Sequence, residues 1–171
     1  MKTMNSPGRN LLGAGVVAGL TGTGVMMAMR SFDQRYAPQT IPKAAIDPGV
    51  FVADKMVRAA RLPRTLRHAL RPAAALAAHT TYGTVCGLLY SLIRGPKRDR
   101  SAVGEGIAFG AAVYTAGYLG WLPALGLQRP IWKQRFPEVL GEIFRHLAYG
   151  VATIAAGQLL AKTAKEPELT R

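Results

Sequence analysis

The sequence has few groups that carry out chemistry. Its one cysteine, Cys86, lies inside an apolar run, so it can form no disulfide within the chain and does not indicate a redox compartment. Acidic residues are scarce, nine among 171, and the apolar segments that could cross a membrane hold none beyond Glu105, at the very start of one of them. The usual carboxylate of a cation-coupled carrier and the acid–base pair of hydrolytic or transfer catalysis are therefore missing. We expect no enzyme, no catalytic residue, no metal site and no bound cofactor.

Basic residues, in contrast, are abundant. The chain holds 22 Lys and Arg, and in a soluble protein such an excess points first to nucleic acid. Here the basic residues lie between apolar runs, where anionic lipid headgroups are the simpler partner. We therefore predict contact with the lipid bilayer and its anionic headgroups, and no nucleic-acid partner.

Four apolar runs are each long enough to cross a membrane, over about 11–29, 72–93, 104–127 and 143–161. At about 1.5 Å per residue, a helix of about 20 residues spans a hydrocarbon core of about 30 Å. The runs predict an all-α integral membrane four-helix bundle, forming one domain over 1–171 with a flexible tail at 162–171. A signal peptide is the alternative for the first run, but the run is too long and no clear small-x-small cleavage site precedes Arg30.

Glycines recur at helical spacing in the first and third runs. Gly15 and Gly19 share one helix face, as do Gly106 and Gly110, and such faces let another helix backbone approach closely in lipid. A dinucleotide-binding loop is the alternative, but no strand precedes the first glycine group and no acidic residue follows at the required distance. Glycine faces left exposed would also allow a homo-oligomer or docking into a larger membrane complex.

The second and fourth runs each contain the motif His-x-x-Tyr-Gly. Its residues recur at helical spacing, so they form one stripe on each helix. An imidazole or phenol facing lipid without a partner is costly, and both stripes should therefore face protein. The candidate functional or packing stripe consists of His79, Tyr82, Gly83, Tyr90, His146, Tyr149 and Gly150.

A glycine-rich run followed by a His-x-x-Tyr-Gly run occurs twice, over about 11–93 and 104–161. This order predicts two repeated helical hairpins. Because each contains two spans, they would be related by an axis along the membrane normal, with His79 and His146 in the same leaflet on equivalent faces. Coincidence is the alternative because the motif is short, but agreement in both members of the hairpin favours a repeat.

The connectors predict amphipathic surface helices. In the connector 30–71, basic residues recur on one side of a predicted helix that starts after Pro63, opposite leucines, and a solvated loop is the alternative. Asp47–Pro48 is a predicted helix start, and a second amphipathic segment covers 128–136. Lys and Arg divide 13 to nine between the two membrane sides, which leaves both orientations open. The predicted lipid headgroup contacts are Arg61, Arg64, Arg67 and Arg71.

The order of these motifs resembles the YagU-like group, small bacterial inner-membrane proteins of unknown function. The most specific segment is Gly-Tyr-Leu-Gly-Trp-Leu-Pro at 117–123, followed by Pro130-x-Trp132 and the second His-x-x-Tyr-Gly motif. The similarity covers roughly 11–160. It implies a multi-pass protein of the bacterial inner membrane, and it supplies neither a reaction nor a catalytic residue.

Three functions fit these features. In the first, a structural or accessory membrane component, the His and Tyr faces bond across to partner helices and fix their register, at about 0.6 kcal/mol per bond on average. In the second, the faces of His79 and His146 line a conduit for a small solute or a proton. In the third, the same two histidines bind haem or a metal. We expect the first.

Overall fold

The computed structural model describes residues 7–42, 48–61, 63–94 and 101–163. These residues contain helices and turns but no strand, which confirms the all-α prediction. The α-helices are α1 (Pro7–Tyr36), α2 (Pro48–Ala59), α3 (Arg64–Arg94), α4 (Ala102–Tyr114), α5 (Leu122–Ala124) and α6 (Phe136–Thr163). A π-helical turn, Thr115–Trp121, joins α4 to α5, and the 3₁₀ turns are Pro38–Thr40 and Ile131–Lys133.

The long helices pack side by side, and α1 contacts both α3 and α6. Helix α4 packs on α6, and the shorter α2 packs on α3. In α1 and α3 the close approaches run in opposite directions along the chain, since Gly15 meets Ser91 and Gly19 meets Gly83. The pair α4 and α6 is likewise antiparallel. Helix α1 is antiparallel to α6 as well, since Ala18 meets Gly157 and Gly22 meets Thr153. Helices α1 and α4 therefore point one way and α3 and α6 the other.

The helix backbones approach each other most closely at glycines, which have no side chain to separate them. A Cβ atom added to Gly19 would lie 2.6 Å from the carbonyl oxygen of Gly83, and one added to Gly150 would lie 2.6 Å from the backbone nitrogen of Gly110. A Cβ atom on Gly110 would in turn overlap the carbonyl oxygen of His146. These glycine faces are therefore occupied by helices of the same chain.

The first connector differs from the prediction of a separate surface helix. Helix α3 begins at Arg64 and continues through Pro72 to Arg94, so the arginines predicted for that surface helix lie in or just before the first turns of a long packed helix. The helix therefore begins before Pro72, the predicted start of the second apolar run. Helix α2 does start at Pro48, whereas its predicted cap, Asp47, lies outside the described residues.

The helices of the third and fourth runs end within three residues of the predicted ends, 127 and 161. Gly120 has non-helical dihedral angles (φ −101°, ψ −107°) inside the π-helical turn, and the helix ends at Ala124, just after Pro123. Proline lacks the backbone donor that would continue the helix. Helix α6 extends to Thr163, past the predicted start of the tail, and residues 164–171 lie outside the described residues, as does the basic turn 95–100.

Within the described residues, one helix is long and apolar enough to cross a membrane, Leu11–Tyr36, with a mean hydropathy of 1.7. It extends beyond the predicted end at Met29. The other three runs do not pass the same test of length and hydropathy. Polar residues at 79–84 in α3 and at 145–146 in α6 lower the mean hydropathy of those helices, and the π-helical turn interrupts α4.

Candidate functional site

His146 lies in the interior of the helix assembly, on α6. Its side chain is buried, with 7% exposed, and its Nδ1 atom is 2.8 Å from the carbonyl oxygen of Glu142. The rings of Tyr114 and Tyr118 meet the imidazole edge-on, with centroid distances of 5.4 and 5.3 Å. The α4 helix and its π-helical continuation thus supply two aromatic walls for this histidine.

Tyr149, one turn further along α6, connects the two His-x-x-Tyr-Gly motifs. It is buried, and its hydroxyl donates a hydrogen bond of 2.8 Å to the carbonyl oxygen of Gly83. Because α3 and α6 run in the same direction, this bond places the two motifs at the same level. Glycine at position 83 leaves room for the side chains of Tyr149 and Thr23, which approach this point of α3.

The other three stripe side chains, those of His79, Tyr82 and Tyr90, do not share this interior position. His79 is half-buried and packs against Gly49 of α2, where an added Cβ atom would lie 2.6 Å from the imidazole Cδ2. Tyr82, predicted to face inward, is 42% exposed and lies beside Trp121. Tyr90 donates a hydrogen bond of 2.8 Å to Glu105 of α4. His79 and His146 therefore occupy different surroundings, contrary to the expected equivalent faces.

A buried charge cluster joins α6 to the end of α1. Arg145 and Glu142 are each 1% exposed, and the Arg145 Nη2 atom donates to the Glu142 carboxylate at 2.8 Å. The same atom donates to the carbonyl oxygen of Thr40 at 3.1 Å. The Nη1 atom of Arg145 pairs with the carboxylate of Asp33. We call Asp33, Glu142 and Arg145 the charge cluster.

The charge cluster adjoins the aromatic walls of His146. The phenol of Tyr118 lies next to the Glu142 carboxylate, and Arg30 is close enough to Tyr118 to act on it electrostatically. This end of the bundle thus holds two arginines, Arg30 and Arg145, and the carboxylates of Asp33 and Glu142. Such an arrangement neutralises charge away from water and fixes the relative position of three chain segments.

Sequence reasoning missed this cluster. Glu142, Arg145 and His146 have the spacing i, i+3 and i+4, which places them on one helix face. His146 was placed on the predicted stripe, whereas Arg145 was counted with the connector charges and Glu142 was given no role. The partner of Arg145, Asp33, lies 112 residues away in sequence, and no local pattern announces that pairing.

Exposed aromatic side chains lie at the end of the bundle that contains the charge cluster. Phe32 and Tyr36 stand on the last turns of α1 with their ring centroids 4.7 Å apart. Trp132 and Phe136, near the start of α6, are 78% and 75% exposed. Aromatic residues concentrate at membrane–water interfaces, where an apolar body and a polar edge both find a suitable medium.

The predicted headgroup arginines divide into two groups. Arg67 and Arg71 line a cavity between α2 and α3, whereas Arg61 is exposed in the turn before α3. The side chain of Arg64 lies outside the described residues. Among the residues that the structure describes, no three His, Cys, Asp or Glu side chains come together as metal ligands.

The fold and this interior define a small all-α protein whose helices are joined by polar side chains. Residues 27–155 match the model of the family described as protein of unknown function DUF1440, and the chain belongs to that family. The matched range includes the charge cluster and both His-x-x-Tyr-Gly motifs. Membership of an uncharacterised family is consistent with the YagU-like resemblance without confirming that name. No curated protein and no solved structure matches the chain.

Proposed function

We propose that the chain is a multi-pass protein of the bacterial inner membrane, with α1, α3, α6 and the α4–α5 segment crossing the bilayer. The observation that carries this proposal is that large polar side chains lie in the interior while large apolar side chains lie on the surface. Among the residues that the structure describes, the largest fully buried side chains are those of Arg145, Glu142 and Thr153. Large apolar side chains are exposed along all four crossing segments, among them Leu12, Leu20, Leu76, Leu89, Ile107, Leu119, Phe144 and Leu159.

Lipid explains this distribution better than water does. Leaving a large apolar side chain in water forgoes about 1.5–3 kcal/mol, and a surface with so many of them invites association. In hydrocarbon the same side chains are well solvated, and it is the polar groups that must face protein. Polar inward faces also explain why α3 and α6 have modest mean hydropathy, because their apolar residues need cover only the outward side.

Within the membrane we propose a structural or accessory role without catalysis. Two polar side chains of the interior bond to other segments: Tyr149 with the backbone of α3, and Arg145 with the end of α1 and with Thr40. These contacts fix the register of the bundle. A repeated hairpin is part of the proposal, supported by the matching backbone contacts of Gly19 with Gly83 and of Gly110 with Gly150.

Membrane extraction and cysteine labelling test the number of crossings. We expect the full chain to stay in the membrane pellet after alkaline carbonate washing and to be released by a nonionic detergent. In a Cys86→Ala background, single cysteines at Gln39 and Trp132 should react with an impermeant maleimide from one side, and one at Lys97 from the other. A single crossing by α1 would place all three on the same side, and a chain that remains in solution without detergent would contradict the proposal altogether.

A further inference from the structure

A cavity of about 380 Å³ lies between α2 and α3, outside the contacts that join the long helices. The two helices are antiparallel here, since Gly49 of α2 approaches His79 while Asp54 approaches Arg71. The volume falls within the range of about 300–1,000 Å³ usual for small-molecule sites. The lining residues are Asp54, Val57, Arg58, Arg67, His68 and Arg71.

The lining is strongly basic. Three arginines face one aspartate, and that aspartate is already paired, with its Oδ1 atom 3.1 Å from Nε of Arg71. The Nε atom of Arg67 is buried and has no hydrogen-bond acceptor among the described residues. A buried donor without an acceptor is unfavourable, and a guanidinium presents a planar fork that matches phosphate oxygens. The lining, three guanidinium groups against one paired carboxylate, therefore suits an oxyanion.

The surroundings of the cavity place it beside an apolar surface. Met56 of α2 is 63% exposed, and Leu66 and Leu70 of α3 are also exposed. Basic side chains next to exposed apolar ones are typical of helices at the level of lipid headgroups. This end of α3 also lies on the same side of the bundle as the exposed aromatic residues near the start of α6, because α3 and α6 run in parallel.

We propose that the α2–α3 cavity binds a phosphate group, with Arg58 and Arg67 as its principal ligands and Arg71 held in place by Asp54. The group belongs either to the headgroup of an anionic lipid or to a free phosphate in solution. The lipid source depends on the membrane location proposed above, whereas the free phosphate source does not. Arg58 was not among the predicted headgroup residues, and the predicted Arg61 does not line the cavity.

Binding to the purified full chain in a nonionic detergent tests the site. The probes are short-chain phosphatidylglycerol, short-chain phosphatidylcholine and inorganic phosphate. We expect saturable binding of at least one anionic probe, weakened roughly tenfold for each arginine removed in Arg58→Gln and Arg67→Gln. Arg129→Gln is the matched control, because it removes one exposed arginine outside the cavity, and it should bind as the wild type does.

The competition pattern identifies the source of the phosphate. Phosphatidylglycerol binding that inorganic phosphate does not displace assigns a lipid headgroup, and displacement by inorganic phosphate assigns a soluble ligand. Absence of saturable binding by either anionic probe, or unchanged binding in the double variant that carries both Arg58→Gln and Arg67→Gln, overturns the proposal. If the double variant does not fold, as judged by helical circular dichroism, Arg58→Gln alone decides by the same criteria. If labelling shows that α1 alone crosses the membrane, the cavity can still bind free phosphate. Each proposal can therefore be contradicted without the other.

Discussion

Replacing Arg145 with methionine is expected to lower the free energy of unfolding by about 3–5 kcal/mol, the range for removing one partner of a buried ion pair. The substitution roughly preserves volume but leaves the Glu142 carboxylate buried and that of Asp33 without its pair. It also removes the donor to the carbonyl oxygen of Thr40. The measurement is reversible unfolding of the purified chain in detergent, followed by helical circular dichroism.

Two further variants separate the charge from the rest of the side chain. Glu142→Gln combined with Arg145→Met should be more stable than Arg145→Met alone, because the buried carboxylate is gone. Arg145→Lys keeps the charge but not the planar fork that reaches Asp33, Glu142 and Thr40 together, so it should fall between the wild type and methionine. If Arg145→Met unfolds within 1 kcal/mol of the wild type, on the order of an exposed pair, the charge cluster does not stabilise the bundle.

A single methyl group at Gly110 is expected to destabilise the contact between α4 and α6. The added Cβ atom would overlap the carbonyl oxygen of His146, and a backbone atom cannot rotate away as a side chain can. Overpacking of this kind costs about 1–3 kcal/mol and occasionally more. Gly110→Ala should therefore unfold at lower denaturant concentration than the wild type, even though alanine is the better helix former.

Gly24→Ala is the matched control for this prediction. Apart from the backbone of its own helix and its two chain neighbours, no atom of the described residues lies within 4 Å of the position that its Cβ would take, so the substitution adds the same methyl group without a clash. It should leave stability unchanged or raise it by up to about 1 kcal/mol, from helix propensity alone. Equal effects of the two substitutions would show that helix propensity, rather than close backbone approach, governs the response to alanine.

Helical spacing in the sequence predicted much of the packing. Glycines four residues apart indicated faces for close approach, and Gly19 and Gly110 take part in such contacts. The interior positions of His146 and Tyr149 follow from the same periodicity. In each case the information lies within one or two turns of a helix, which is the range over which a sequence pattern defines a face.

Contacts between distant segments could not be read in this way. Tyr82 shares a stripe with Gly83, yet Gly83 takes the contact with α1 and leaves the larger neighbour at the surface. His79 turns to α2 because Gly49 approaches it closely, and the sequence of α3 contains no sign of that neighbour. Pro72 suggested a boundary that the helix does not have. The pairing of Arg145 with Asp33 likewise depends on how α6 docks on α1.

Spin-label accessibility in lipid vesicles tests the central claim most directly, which is that hydrocarbon surrounds all four crossing segments. Single labels replace Leu20, Leu89, Ile107 and Leu159, one exposed apolar residue on each of α1, α3, α4 and α6, in a Cys86→Ala background. We predict that all four labels collide frequently with dissolved oxygen and rarely with a water-soluble nickel chelate. Frequent collision with the chelate at Leu89, Ile107 and Leu159, with Leu20 alone protected, would contradict the multi-pass bundle and leave α1 as the only helix in the membrane.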